Sequence, residues 1–198
     1  MMLPVLHIPF DERKASEAAS FLLARSGRCL SRWRFNKLMY LAEREAWKRL
    51  GRSMFGGAYF SLDYGPVVSE VLSLTSDQAT SCEGDIWSAH FKNIGTKVQL
   101  KRPLPPARLT RGDVEVLHSV FLEYGGMPRD TLGSYMHRLP EYRQTTPRTK
   151  RWPIPLGDLL KKLGKTPESI AQVSKRIRED EAIERLHQKL AAHSERPA

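Results

Sequence analysis

A helix bounded by its own capping residues is the feature that most constrains this chain. Ser31 is a good N-cap, and Gly51 can adopt the left-handed backbone conformation that ends a helix, so the pattern predicts a helix over residues 32–50. Its apolar residues fall within a stripe about 120° wide, which is typical of a core-facing surface. The stripe consists of Phe35, Leu38, Met39, Ala42, Ala46 and Leu50. The chain is therefore expected to build its core around this helix.

A second set of side chains lies on the same helix, away from the apolar stripe. Lys37, Tyr40, Arg44 and Trp47 cluster there at helical spacing. Two interpretations are open: another part of the chain covers this side, or it is a binding face for a partner. Trp33, in the first turn, is a further candidate for partner contact, because Trp, Tyr and Arg dominate interface energetics.

The other segments predict more helices than strands. Helices are predicted at residues 14–26, 67–74 (opened by Pro66), 111–124, 156–163 and in a segment opened by Pro128. Extended segments are predicted at 58–62, 86–92 and 96–101, the last two forming a hairpin. These elements predict a compact, predominantly helical α+β domain with a small antiparallel sheet or hairpin.

Helix 111–124 has the clearest start signal after residues 32–50. Thr110 and Asp113 have the spacing of a capping box, in which each side chain bonds to the backbone of the other residue. The predicted core face of this helix is Val114, Leu117, Phe121 and Leu122.

The last helix has two apolar directions instead of one. The first holds Ile170, Val173 and Ile177, and the second holds Ile183, Leu186 and Leu190. They differ by about 140° on the helical wheel, so either the helix bends or its second half has a different neighbour. We therefore set a C-terminal helical extension at 166–198 apart from the rest of the chain. Leu186 and Leu190 are candidate contacts for a partner or a second copy.

The net charge and the cysteine content indicate which kinds of partner and which cellular compartment to expect. Thirty-two Lys and Arg against 22 Asp and Glu give a net charge of +10, which favours polyanionic partners. The basic residues are spread along the chain, with local density at 143–151, so nucleic-acid binding is possible but less favoured than a solvated surface. No apolar run is long enough to span a bilayer, and Cys29 and Cys82 match no disulfide framework. We expect a cytoplasmic protein with reduced thiols.

The usual signatures of enzymes are missing from the sequence. It has no HExxH, Walker or GxSxG motif, and its histidines and cysteines lack metal-ligand spacing. His137 and Glu141 form an i, i+4 pair that could do acid–base chemistry, but Pro140 between them favours a helix end. We expect no metal, no cofactor and no catalytic residue.

Three motifs together resemble one family. The first is Lys37-Leu38-x-Tyr40-x-Ala42, the second is Tyr64-Gly65-Pro66-Val67 after Phe60, and the third places Leu132 and His137 before Pro140. Over residues 12–163 they resemble the Panacea domain of SocA-like antitoxins. Glu141 stands where that family often has an aromatic residue, and Met136 where threonine commonly precedes the histidine.

The resemblance implies a role in toxin–antitoxin systems of bacteria and their phages, including phage defence. Members of the family neutralise varied toxins by direct protein contact, and one branch resembles a protease adaptor that delivers its toxin for degradation. The motif residues from Leu38 to His137 would have structural roles. We therefore expect an antitoxin whose partner is a toxin encoded nearby. The alternatives are a nucleic-acid-binding transcriptional regulator and a protease adaptor.

Overall fold

Eight helices and two small sheets make up the part of the chain described by the computed structural model, residues 8–76 and 86–194. The helices are α1 (Glu12–Arg25), α2 (Arg32–Leu50), α3 (Ser69–Leu74), α4 (Ile86–His90), α5 (Arg111–Tyr124), α6 (Arg129–His137), α7 (Leu156–Lys162) and α8 (Pro167–Ser194). The strands are β1 (Cys29–Ser31), β2 (Tyr59–Leu62), β3 (Gly65–Val68), β4 (Phe91–Ile94), β5 (Lys97–Leu100) and β6 (Trp152–Pro153). The predicted α+β class, predominantly helical with small antiparallel sheets and a C-terminal helix, is confirmed.

The long helix α2 lies at the centre of the core. Ser31 caps it by accepting a hydrogen bond from the Arg34 amide, and Gly51 ends it with a φ of 66°. Every residue from Phe35 to Trp47 is buried, so all sides of the helix are covered. The bounds predicted from the two capping residues are confirmed.

Each antiparallel sheet has three strands and lies beside α2. In one sheet β5 is central, with β1 and β4 at the edges; in the other β2 is central, with β3 and β6 at the edges. The hairpin of β2 and β3 pairs Tyr59 with Val68 and Leu62 with Gly65. This hairpin carries the second sequence motif to the side of α2 that the apolar stripe leaves free.

Pro66 lies in a strand and does not begin a helix. It pairs with Ser61 in the hairpin, and α3 begins three residues later, at Ser69. The prediction of a helix over 67–74 was wrong at its start. Proline cannot donate to a strand ladder, but it is tolerated here because β3 is an edge strand.

The predicted first strand of the hairpin at 86–101 is largely helical. Residues 86–90 form α4, and the strands begin only at Phe91. The rings of Trp87 and Phe91 stack with centroids 4.3 Å apart, and Trp87 also packs against Phe35. Aromatic side chains four residues apart meet when the intervening chain is helical, which the alternation of this short segment did not indicate.

The core face of α5 is rotated from the predicted one. Leu117 is buried as predicted, but Leu122 is 70% exposed, while Val120 and Tyr124 are buried. The reason lies in the capping box, which is confirmed: Asp113 is itself buried and takes its side of the helix inward. The buried carboxylate is paired with Lys14 at 3.1 Å.

The first turns of α8 pack on the rest of the chain. Ile170 is buried in the core, and Val173 and Ile177 pack partly against it. The division of the chain at 163 and 166 stays a prediction. Neither α8 nor any other helix in the two described ranges is both long and apolar enough to cross a membrane.

Candidate protein-interaction surface

Lys37 joins the first two sequence motifs inside the core. Its Nζ donates hydrogen bonds to the carbonyl oxygens of Gly65 at 2.7 Å and of Pro66 at 3.1 Å. Burial lowers the pKa of Lys37 to about 7. A neutral amine still carries two N–H groups, so both hydrogen bonds can persist after the proton is lost. The lysine of α2 therefore holds the β2–β3 hairpin from within.

Gly65 allows the hairpin to approach α6 closely. Its φ is 95°, a conformation that L side chains rarely adopt, and a Cβ placed there would lie 2.8 Å from Cβ of Met136. Met136 and Leu132 are both fully buried on α6. The glycine of the second motif is therefore required by the close contact of the hairpin with α6.

Tyr40 and Arg44 share one buried carboxylate. Oε1 of Glu141 accepts hydrogen bonds from the Tyr40 hydroxyl at 3.0 Å and from Nε of Arg44 at 2.6 Å. The side chain of Glu141 is only 1% exposed. Burial raises the pKa of the Tyr40 phenol, and the neighbouring carboxylate raises it further. Glu141 thus supplies a charge partner for Arg44, at a position where the family that the sequence resembles often has an aromatic residue.

Trp47 belongs to a second buried network. Its indole N–H donates to the Tyr59 hydroxyl at 2.8 Å, and that hydroxyl donates to Oε1 of Glu43 at 2.9 Å. The other oxygen of Glu43 accepts from the amides of Met54 and Phe55. Burial raises the pKa of Glu43 despite these hydrogen bonds.

These contacts decide between the two interpretations of the second face of α2. Lys37, Tyr40, Arg44 and Trp47 are all less than 10% exposed. The idea that they form an exposed binding face was wrong, because the hairpin and Glu141 cover them. The structure agrees with the other interpretation, in which another part of the chain covers this side of α2.

The tip of the hairpin is exposed, in contrast to its base. Tyr64 is 67% exposed, so its side chain is not packed into the core as the structural role implied by the resemblance would require. His137 donates from Nε2 to the Asp63 carbonyl at 3.0 Å, and its ring stacks on Tyr142. Because Glu141 is bound to Tyr40 and Arg44, His137 and Glu141 contact different groups.

Trp33 lies at the rim of a cleft beside this tip. The guanidinium of Arg129, at the start of α6, lies 5.3 Å from the centroid of the Trp33 ring, a cation–π distance. The cleft is bounded by the start of α2, the β2–β3 hairpin and the start of α6, and has a volume of about 440 Å³. Leu62, Val67 and Leu72 contribute apolar surface.

Sequence reasoning found Trp33 and Lys37 but missed other residues that line the cleft. Asn36 and Arg129 were not predicted as site residues, and Tyr64 was assigned a structural role. Asn36 follows Trp33 by one helical turn, a spacing visible in the sequence. Arg129 gave no such signal, because only the fold brings α6 to α2.

The remaining motif residues have ordinary packing positions. Leu38 is fully buried on α2, Val67 is buried in β3, and Phe60 is half-buried beneath the guanidinium of Arg151 at 3.8 Å. These placements agree with the structural roles that the resemblance implied.

The second half of α8 is exposed where it is described. Ile183 and Leu186 are 53% and 58% exposed. The side chain of Leu190 lies outside the described residues. Helix α8 is continuous from Pro167 to Ser194, so its second apolar direction arises without a break in the helix.

Metal ligands do not cluster in the described ranges. Within residues 8–76 and 86–194, no group of three or more His, Cys, Asp or Glu side chains is placed to hold a metal ion. Cys29 is a half-buried free thiol, and Cys82 lies outside the described residues.

Comparison with protein families identifies the part of the chain that contains these features. The model of the family described as antitoxin SocA-like, Panacea domain, matches residues 35–142, more than half of the chain. This range begins on α2 and ends just after Glu141, so it includes Lys37, the hairpin and α6. Comparisons with curated proteins and with solved structures gave no significant match. The chain belongs to the SocA-like antitoxin family with a Panacea domain.

Proposed function

We propose that this protein is a cytoplasmic antitoxin that neutralises a protein toxin, encoded next to it, by direct binding and without catalysis. The observation that carries the proposal is the match of the Panacea family over residues 35–142. The motif residues inside that range hold a hairpin and a helix together. They supply a scaffold, and the surface around it is left for a partner.

The composition of the exposed surface supports a binding role. Trp33, Tyr64 and Arg129 are residue types that supply most of the energy at protein interfaces, and all three line one cleft. The net charge of +10 would steer an acidic partner toward the protein and speed association.

Co-expression with the neighbouring gene tests this function. The toxin should arrest growth alone, and growth should return when this chain is present and a complex is copurified. The matched control is a Gly65→Asp variant, which should fail to fold because its side chain has no space against α6. Absence of both rescue and complex would remove the proposal.

The same assay separates simple binding from protease delivery. If the protein is an adaptor, the half-life of the toxin should fall when both are expressed, and rescue should require the protease. A toxin that stays abundant in a stable complex supports neutralisation by binding alone.

The exposed half of α8 is proposed as a second contact, for the toxin or for a second copy of this chain. Ile183 and Leu186 are the described apolar residues that support it. Deleting residues after Glu179 should leave the domain folded and weaken toxin binding or self-association. A deletion that lowers the melting temperature while binding is unchanged would assign this segment to stability instead.

A nucleic-acid-binding regulator is the second candidate function. The connector at 143–151 is basic, and Arg143 and Arg151 stack on Trp152 and Phe60 at 3.5 and 3.8 Å. If the connector binds DNA, neutralising Arg148, Lys150 and Arg151 should weaken salt-sensitive binding. If the triple variant binds DNA with unchanged affinity, these residues no longer support a nucleic-acid-binding function.

A further inference from the structure

The cleft beside α2 has an unbalanced charge. Among its described lining residues are two arginines, Arg32 and Arg129, and no carboxylate. Lys37 also lines the cleft, but its Nζ is directed to the carbonyl oxygens of Gly65 and Pro66. The start of α2, with its partial positive charge, lies at the same edge. Arg129 is exposed, and it lies over the ring of Trp33. A ligand that enters this cleft therefore gains by carrying negative charge.

Two polar atoms of the cleft residues lack partners among the described residues. Oδ1 of Asn36 is a buried acceptor, and Nε1–H of Trp33 is a buried donor; neither has a hydrogen bond. The other end of the Asn36 amide is occupied, since its Nδ2 donates to the Arg32 carbonyl and to the Thr75 hydroxyl. Only 3% of the surface of Asn36 is exposed. A buried unpaired polar group is costly, so these two atoms favour a ligand that completes them.

A peptide unit has the chemistry that the two atoms require. Its N–H can donate to Asn36 and its carbonyl can accept from Trp33, whereas a phosphate offers only acceptors. Leu62, Val67 and Leu72 add an apolar wall that would accommodate an aliphatic side chain but not a sugar–phosphate backbone. A volume of about 440 Å³ is within the usual range for a ligand site.

We propose that this cleft binds an extended peptide segment of the partner protein that carries acidic and aliphatic residues. This inference rests on the proposed function for the identity of the partner, because the segment would belong to the toxin. Carboxylates of the segment would pair with Arg129 at the rim, its backbone would bond to Asn36 and Trp33, and an aliphatic side chain would lie on Leu72.

The test uses the full chain and two labelled peptides in a fluorescence anisotropy assay. One peptide is acetyl-Glu-Leu-Asp-Leu-Glu-amide, and the other replaces each acidic residue by its amide. Because a hydrogen bond between charged groups contributes more than a neutral one, the acidic peptide should bind about tenfold more tightly. A single-stranded oligonucleotide of equal length is the third probe.

Two variants locate the binding. Arg129→Glu should lower the affinity for the acidic peptide by about tenfold or more. The variant should fold normally because an acidic residue is favourable at the start of a helix. Tyr64→Ala removes an exposed ring from the rim and should also weaken binding. Arg102→Glu makes the same charge change at an exposed position outside the cleft lining, and should change binding by less than about twofold.

The outcomes distinguish this inference from the proposed function. Failure of the acidic peptide to bind, equal binding of the two peptides, or equal losses for Arg129→Glu and Arg102→Glu would overturn the inference. Tighter binding of the oligonucleotide that depends on Arg129 would overturn it in favour of nucleic acid. If the wild-type chain neutralises its neighbour while both cleft variants neutralise equally well, the inference fails and the antitoxin function stands. If peptides bind the cleft but no neutralisation occurs, the antitoxin function fails instead.

Discussion

Replacing Arg44 by methionine is the most direct test of the buried network around Glu141. Nε of Arg44 lies 2.6 Å from Oε1 of Glu141, and the two side chains are 9% and 1% exposed. Without the arginine, the carboxylate would keep only the hydroxyl of Tyr40 as a partner. Methionine retains much of the apolar stem of arginine, so the change mainly removes the charge and its hydrogen bonds.

The expected loss of stability is large. Removing one partner of a buried ion pair costs about 3–5 kcal/mol, because the other charge stays buried without compensation. For a chain of this size, each kcal/mol lowers the melting temperature by about 2–4 °C, so the variant should melt about 6–20 °C lower. Calorimetry and urea unfolding followed by circular dichroism would measure both quantities.

A double variant and an exposed control make the result specific. Arg44→Met with Glu141→Gln should recover part of the loss, since glutamine is neutral and its carbonyl can still accept from Tyr40. The interaction free energy from the double-mutant cycle should be about 1–3 kcal/mol. Arg49→Met is the control: Arg49 pairs with Glu45 at 3.2 Å but is 46% exposed, so the loss should stay below about 1 kcal/mol. Equal losses for Arg44→Met and Arg49→Met, or strictly additive effects in the cycle, would refute the reasoning.

Three further predictions test other features of the fold. The pKa of Lys37 is about 7 in the folded chain and about 10.4 when unfolded, so the unfolded state binds more protons between these values. The unfolding free energy of the wild type should therefore rise from pH 7 to 9.5 relative to Lys37→Met, by at most about 1.4 kcal/mol per pH unit, and a flat difference would contradict the shift. Gly65→Ala should cost about 2 kcal/mol or more in urea unfolding because of its φ of 95° and its contact with Met136, and near-native stability would show that this contact yields easily. Leu117→Ala should cost about 2–5 kcal/mol and Leu122→Ala less than about 0.5 kcal/mol, and similar losses in the two variants would support the core face predicted from the sequence, which contains both leucines.

Local signals in the sequence were enough to place the ends of several helices. Ser31 and Gly51 bounded α2, and Thr110 with Asp113 marked the start of α5, because capping depends on residues a few positions apart. Pro66 was misassigned because the same residue suits the first turn of a helix and an edge strand. Its strand position depends on pairing with Ser61, which the turn residues alone did not indicate.

The candidate site could be predicted only in part, for a related reason. The wheel of α2 showed that Lys37 and Arg44 share a side, but not that the hairpin and Glu141 cover it. Glu141 is distant in sequence, and its role depends on where the chain returns after α6. The cleft likewise combines Trp33 with Arg129, which only the packing of α6 against the hairpin brings together.

A buried lysine holds the β2–β3 hairpin in place, and this affects which residues of the protein can change during evolution. The amine of Lys37 bonds to backbone carbonyls, so these hydrogen bonds do not depend on which side chains lie at the exposed tip of the β2–β3 hairpin. Tyr64 and Arg129 can then be exchanged without rebuilding the interior. Such a division lets one scaffold acquire a new recognition preference through a handful of rim substitutions.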